Sequence, residues 1–142
     1  MNPKAQAVID DFQFLGEKDR LQLLLEFSES LPELDPKYGE SPELLERVEE
    51  CQSPVFVAIE GSPDSITLVF SAPREAPTTR GFASVLYASL SGLSATEILE
   101  TSDDFPSMLG LDRLISPLRV RGMRGMLGRI KRKTRELVEA AS

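Results

Sequence analysis

Cys51 is the only cysteine among 142 residues, and the chain contains no histidine. Together these two facts remove most active-site chemistry. A Ser-His-Asp or Cys-His arrangement needs an imidazole as its base. A zinc or iron–sulfur centre needs several Cys or His ligands. A solitary thiol either packs as a small, inert hydrophobe or acts alone, as a thiolate nucleophile. The surrounding stretch, Val48-Glu49-Glu50-Cys51-Gln52-Ser53-Pro54-Val55-Phe56, favours the second role.

The elements that must position this sulfur can be read from spacing. Asn2 followed by Pro3 predicts a capped helix start, with Ala5, Val8, Ile9, Phe12 and Leu15 on one face and Gly16 as its stop. A second helix is predicted from about Glu17 to Ser30 through Leu21, Leu24, Leu25 and Phe27, and Leu31 to Glu40 reads as a loop broken by Pro32, Pro36 and Gly39. Ser41-Pro42-Glu43 starts a short helical turn, and Leu45–Glu49 reads as a short strand ending just before Cys51. Pro54–Ile59 is a clearer strand, Gly61-Ser62-Pro63-Asp64 a turn and Ser65–Phe70 the returning strand. This is an antiparallel meander with Cys51 in its first connection, where a loop can present a reactive group on a rigid frame. After Pro77 a helical face runs through Phe82, Val85, Leu86, Leu90 and Leu93, and Ser94-Ala95-Thr96-Glu97 matches a capping box. Phe105, Met108 and Leu109 suggest a short helix ending at Gly110. Ser116-Pro117 opens a last long helix with Met123, Met126, Leu127, Ile130 and Leu137 inward. The expected architecture is one α+β domain over residues 1–142, an antiparallel β-sheet with helices packed on one face.

The net charge of −7 is uneven: residues 113–142 hold nine of the 16 Lys and Arg and only Glu136 and Glu139 as acids, whereas residues 1–112 carry 21 acids. An anionic body repels phosphate, which argues against indiscriminate nucleic-acid binding. The basic residues Arg129, Lys131, Arg132, Lys133 and Arg135 lack interleaved aromatics for stacking on bases. The cluster Glu43, Glu46, Glu49 and Glu50 reads as solvated surface that could help dock a basic partner. No apolar run is long enough for a membrane span, and Met1-Asn2-Pro3-Lys4 carries no secretion pattern. One cysteine forms no internal disulfide, so a reducing, cytoplasmic setting is expected.

Three ordered stretches resemble the SufE family of cysteine-desulfuration proteins. Val48–Phe56 is similar to that family's V-x-G-C-x-S-x-V-W signature. Arg80-Gly81-Phe82-Ala83 opens a long helix and is followed by Leu93-Ser94-Ala95-Thr96-Glu97-Ile98. Leu114-Ile115-Ser116-Pro117-Leu118-Arg119-Val120-Arg121-Gly122-Met123 is similar to the family's L-(S/T)-P-x-R-x-x-G segment. The chain departs from the pattern in three places. Glu50 stands where the family has glycine, Phe56 where it has Trp, and Asp112-Arg113 where a histidine is often found. A glutamate beside the sulfur is expected to raise the thiol pKa, unless Glu50 points away or a cation offsets it.

The resemblance implies a SufE/IscU-like fold and a covalent sulfur carrier without a bound cofactor. Cys51 would take the outer sulfur of a persulfide on a pyridoxal-phosphate cysteine desulfurase of the SufS type, stimulate that enzyme, and pass the sulfur toward an Fe–S scaffold. With no second cysteine, the carried sulfur cannot be discharged as an intramolecular disulfide. Arg119 matches the family's arginine and would support the thiolate or persulfide anion. Gln52 and Ser53 could donate hydrogen bonds to sulfur. The expected partners are the desulfurase and the scaffold, with no nucleic acid or membrane, and the protein is expected to be a monomer or dimer. From a different class, a one-cysteine peroxide sensor or reductase would also use Cys51, with an activating arginine and an external reductant.

Overall fold

A computed structural model describes residues 1–142. Asn2 Oδ1 accepts a hydrogen bond from the Ala5 N–H at 2.9 Å and Pro3 fills the first helical position, which starts α1, Pro3–Phe14. Helix α2, Glu17–Glu29, returns along it, and Phe12 stacks on Phe27 with ring centroids 5.9 Å apart. The segment expected as plain loop holds a one-turn helix, α3, Lys37–Glu40. Its residues have a tertiary reason to be ordered: Tyr38 donates to the Glu60 carboxylate, and Lys37 Nζ lies 2.9 Å from it.

A 3-10 turn, Pro42–Leu44, leads into the sheet. Its strands are β1, Glu46–Arg47; β2, Phe56–Ser62; and β3, Ser65–Ser71, antiparallel in the order β1-β2-β3. The expected first strand is thus shortened to two residues. The hairpin is tighter than expected, because Gly61 and Ser62 pair with Ile66 and Ser65 and leave only Pro63-Asp64 as the turn. Ile66, Leu68 and Phe70 alternate with less buried residues along β3, the period of a half-buried strand. Glu60, paired with Thr67, lies on the other face, where α3 reaches it. The exposed edge of β3 is partly covered by backbone: Ile66 N–H donates to Leu93 O at 2.9 Å and Gly92 N–H to Ile66 O at 2.6 Å.

Helix α4, Pro77–Leu90, is the centre of the core and contacts α1, α2, β3 and the last helix. Gly81 lets it cross α2 closely, since a Cβ there would stand 2.5 Å from the Leu24 carbonyl oxygen. Arg80 is buried and donates to the carbonyls of Ser28 (2.9 Å), Ala72 (2.6 Å) and Leu31 (3.5 Å), tying α2 to the end of β3. A buried guanidinium needs that many acceptors. The helix stops at Leu90, so Leu93 packs from the following connection rather than from the helix. Ser94 and Glu97 form the expected capping box of α5, Ala95–Leu99. After α6, Phe105–Met108, Gly110 takes φ +71°. Helix α7, Pro117–Ala141, runs about 37 Å. It lies against β2, α4, α5 and α6. Lys131 fastens it to the α5–α6 connection, donating to Thr101 O and pairing with Asp103 at 2.8 Å. No helix is long and apolar enough to cross a membrane.

Candidate functional site

The connection between β1 and β2 is closed by its own backbone. Val48 N–H donates to Val55 O at 2.9 Å, and Cys51 N–H donates to Val48 O at 3.1 Å. Val48 and Val55 are fully buried and anchor the two ends. Between them Cys51 turns inward and is only 7% exposed.

What makes room for the sulfur is a glycine on α7. A Cβ at Gly122 would meet Cys51 Sγ at 3.0 Å, and one at Gly125 would stand 2.7 Å from the Glu50 carboxyl carbon. The Glu50-Cys51 pair therefore lies directly on helix backbone. Glu50 does not point away: Arg129 Nη1 donates to its carboxylate at 2.5 Å. The same guanidinium donates through Nε to the Arg47 carbonyl at 3.1 Å and lies 3.3 Å from the Glu46 carboxylate. One arginine thus holds β1 and the residue before the cysteine together.

This geometry corrects the reading of the acidic cluster as solvated surface. Glu46 pairs with Arg129, Arg132 and Lys133, and Glu50 with Arg129, so half of that cluster is neutralised by α7. The cations beside it hold the Glu46 carboxyl below its usual range, chiefly through the Arg132 hydrogen bond. The basic stretch is correspondingly spent: of Arg129, Lys131, Arg132, Lys133 and Arg135, only Arg135 lacks an ion-pair partner.

Cys51 forms part of the wall of a cavity of about 250 Å³, with Gln52, Ser53, Glu75, Thr78 and Arg119 also lining it. Cys51 thus borders a cavity that opens to solvent. Arg119 stands at the start of α7, where its N–H donates to the Ser116 hydroxyl at 3.4 Å while its exposed guanidinium makes no hydrogen bond or ion pair. Gln52 and Ser53 donate no hydrogen bond to the sulfur: Gln52 is exposed and Ser53 half-buried. Burial pushes the Cys51 thiol up to about 11, and the Glu50 carboxylate adds to the rise, against a partial opposing pull from Arg129 and Arg47. The expected effect of Glu50 is present, and the offsetting cation is Arg129 rather than Arg119.

Sequence reasoning had Gly122 within the family segment and Arg129 within the basic stretch but not their roles beside Cys51, and it missed Gly125. The available signal was Gly122, Gly125 and Gly128 at intervals of three in a 25-residue helix. Glycine is unfavourable there unless something must come close.

Residues 6–134 match the SufE family, described as the Fe-S metabolism associated domain. An uncharacterized SufE-like protein of Mycobacterium tuberculosis is 52% identical over 130 residues, covering 91% of this chain and 90% of that protein. The chloroplastic/mitochondrial SufE-like protein 1 of Arabidopsis thaliana is 31% identical over 136 residues, 95% of this chain but 36% of that longer protein. The solution structure of a hypothetical protein from Thermus thermophilus superimposes with a TM-score of 0.84 at 34% identity, over 96% of this chain and 97% of the other. The chain therefore belongs to the SufE family, whose association is with Fe–S metabolism.

Proposed function

We propose that the protein accepts a sulfur atom on Cys51 from the persulfide of a SufS-type cysteine desulfurase, stimulates that enzyme, and hands the sulfur on to Fe–S cluster assembly. The observation that carries this reading is a solitary thiol on the wall of a 250 Å³ cavity, in a chain with no other thiol and no histidine. The Cys51 thiolate attacks the outer sulfur of the donor persulfide. A new S–S bond forms at Cys51 as the donor's S–S bond breaks, and the donor leaves as a thiolate. One sulfane sulfur changes hands with no external oxidant or reductant, and the proton given up by the Cys51 thiol ends on the departing donor sulfur. Arg119, free and on the same cavity, is the cation that pairs with the persulfide anion, and Gln52 and Ser53 close around it.

The peroxide-sensor reading requires a thiol activated at rest, whereas burial here pushes it the other way. An acceptor tolerates a protonated resting thiol, because the donor can trigger its release.

Incubation with a pyridoxal-phosphate cysteine desulfurase and cysteine should add about 32 Da to the peptide holding Cys51, the mass of one transferred sulfur. Cys51→Ser should abolish both the adduct and the stimulation of turnover. An unlabelled Cys51 with turnover unchanged by the wild-type protein would refute the proposal.

A further inference from the structure

Five arginines of α7 (Arg121, Arg124, Arg129, Arg132 and Arg135) line an open groove of about 840 Å³ that contains no hydrophobic side chain. Its only acids are Glu46 and Glu50. Both carboxylates are already engaged by Arg129 and its neighbours. Outside the groove lining, Asp104 and Glu136 pair with Arg124 and Arg132, so Arg121 and Arg135 are its two unpaired cations, on a chain whose net charge is −7. Arg121 and Arg135 are exposed and make no ion pair, and Gly128 leaves the helix backbone bare between the cations. Two unpaired, exposed guanidinium groups on one open groove fit an anionic occupant.

The groove shares a wall with the sulfur site. Glu50 lies on the walls of both the groove and the Cys51 cavity. Arg129, the cation that a carboxylate entering the groove would meet beneath its rim, is the one that holds Glu50. The residues after the cysteine offer little further restraint: Gln52 and Ser53 make no hydrogen bond through backbone or side chain. Beyond its anchored ends, this connection is held by the Cys51 N–H bond to Val48 O, the packing of Cys51 on Gly122 and the Glu50–Arg129 pair.

We propose that this groove receives an acidic segment of the sulfur-donating protein, and that the segment's carboxylates compete with Glu50 for Arg129 and so free the Cys51 connection. This rests on the acceptor reading above for the identity of the partner. A protein segment suits the groove better than RNA, since no aromatic side chain lines it for stacking on bases.

The test separates docking from sulfur chemistry. Affinity for a cysteine desulfurase is measured by interferometry with the Cys51→Ser protein, which cannot accept sulfur, and with the same protein carrying Arg121→Glu and Arg135→Glu. Neither arginine has a partner in the fold, and a melting curve checks that both proteins are folded. The two charge reversals should weaken binding about tenfold at low salt, with the difference shrinking as salt rises. In a second arm, a hexaglutamate peptide should accelerate alkylation of wild-type Cys51, and should do so much less when Arg121 and Arg135 are reversed.

Equal affinities, or no binding by either protein, overturn the docking surface. So does a result in which the reversals abolish binding of a single-stranded RNA while leaving the desulfurase affinity intact. An alkylation rate indifferent to the peptide overturns the competition for Arg129. If docking is weakened as expected but wild-type Cys51 never gains sulfur, the acceptor reading fails and the groove stands.

Discussion

Gly122→Ala and Gly128→Ala are the same chemical change six residues apart on one helix, and the structure assigns them opposite consequences. Both glycines have ordinary helical backbone, since positive φ occurs only at Gly61, Gly92 and Gly110. Alanine therefore contributes the same helix-propensity gain at either place, about 1 kcal/mol. At Gly128 nothing lies within 4 Å of the added methyl, so the gain is realised in full. At Gly122 the methyl would stand 3.0 Å from Cys51 Sγ, and 3.8 Å from both the Cys51 Cα and the Glu50 carbonyl oxygen. Relieving that crowding means pushing the cysteine off the helix, and overpacking of this kind costs about 1–3 kcal/mol. Gly128→Ala should thus stabilise by about 1 kcal/mol while Gly122→Ala ranges from neutral to about 2 kcal/mol destabilising. For 142 residues each kcal/mol moves the midpoint by about 3 °C, so urea titration and thermal melting both resolve the pair. The displaced thiol supplies an independent readout: Gly122→Ala should react faster with a disulfide reagent, and Gly128→Ala should not. If the two variants are equally stabilised and equally slow to react, Cys51 does not rest on α7 and the site described above is wrong.

Thiol titration followed by thiolate absorbance should give a midpoint near 11 for wild-type Cys51. Glu50→Gln should lower it by removing the anion, and Arg129→Gln should raise it by removing the cation. Shifts of the same sign in both would contradict the arrangement. Because the folded thiol keeps its proton where an unfolded one, with a pKa of about 8.5, has lost it, the native state binds more protons between these values. Stability should accordingly fall as pH rises from about 8.5 toward the folded midpoint, and Cys51→Ala should flatten this dependence in denaturation series. Gly81→Ala should cost about 3 kcal/mol in urea unfolding, because its methyl meets the Leu24 carbonyl, a backbone atom unable to swing aside. A neutral result there would mean that α2 and α4 do not cross as described.

The elements with local signals were legible in the sequence. Asn2-Pro3, Ser94 with Glu97, and Ser116-Pro117 each start a helix where expected, because a cap is satisfied within a few residues of itself. The alternation of β3 was equally plain. What failed to show depended on partners far along the chain. The loop through Lys37 and Tyr38 gains its helical turn alongside contacts with Glu60 on β2. The acidic residues before Cys51 looked solvated because Arg129 lies 79 positions beyond Glu50. Composition singled out the sulfur, and the family motif singled out Arg119, which lines the same cavity. Of the glycines that make space for Glu50-Cys51, Gly122 stood in the family segment without a visible purpose, and Gly125 showed only as an unexplained weakness in the pattern of α7. Arg80-Gly81, quoted as part of the family signature, has a scaffolding role here: three carbonyls and a close helix crossing account for both residues.

The hydrogen bond from Val48 to Val55 limits how far the thiol can travel. With both ends pinned, Cys51 is three residues from the nearer anchor, so even a fully extended excursion carries its sulfur only about 10 Å. A tether that short cannot ferry cargo between distant stations in the manner of a long flexible arm. In the sulfur transfer proposed above, the donor must therefore bring its own reactive group almost flush with this surface, and a recipient must do the same in turn. The proposed traffic is then a succession of mutually exclusive handshakes at one doorway.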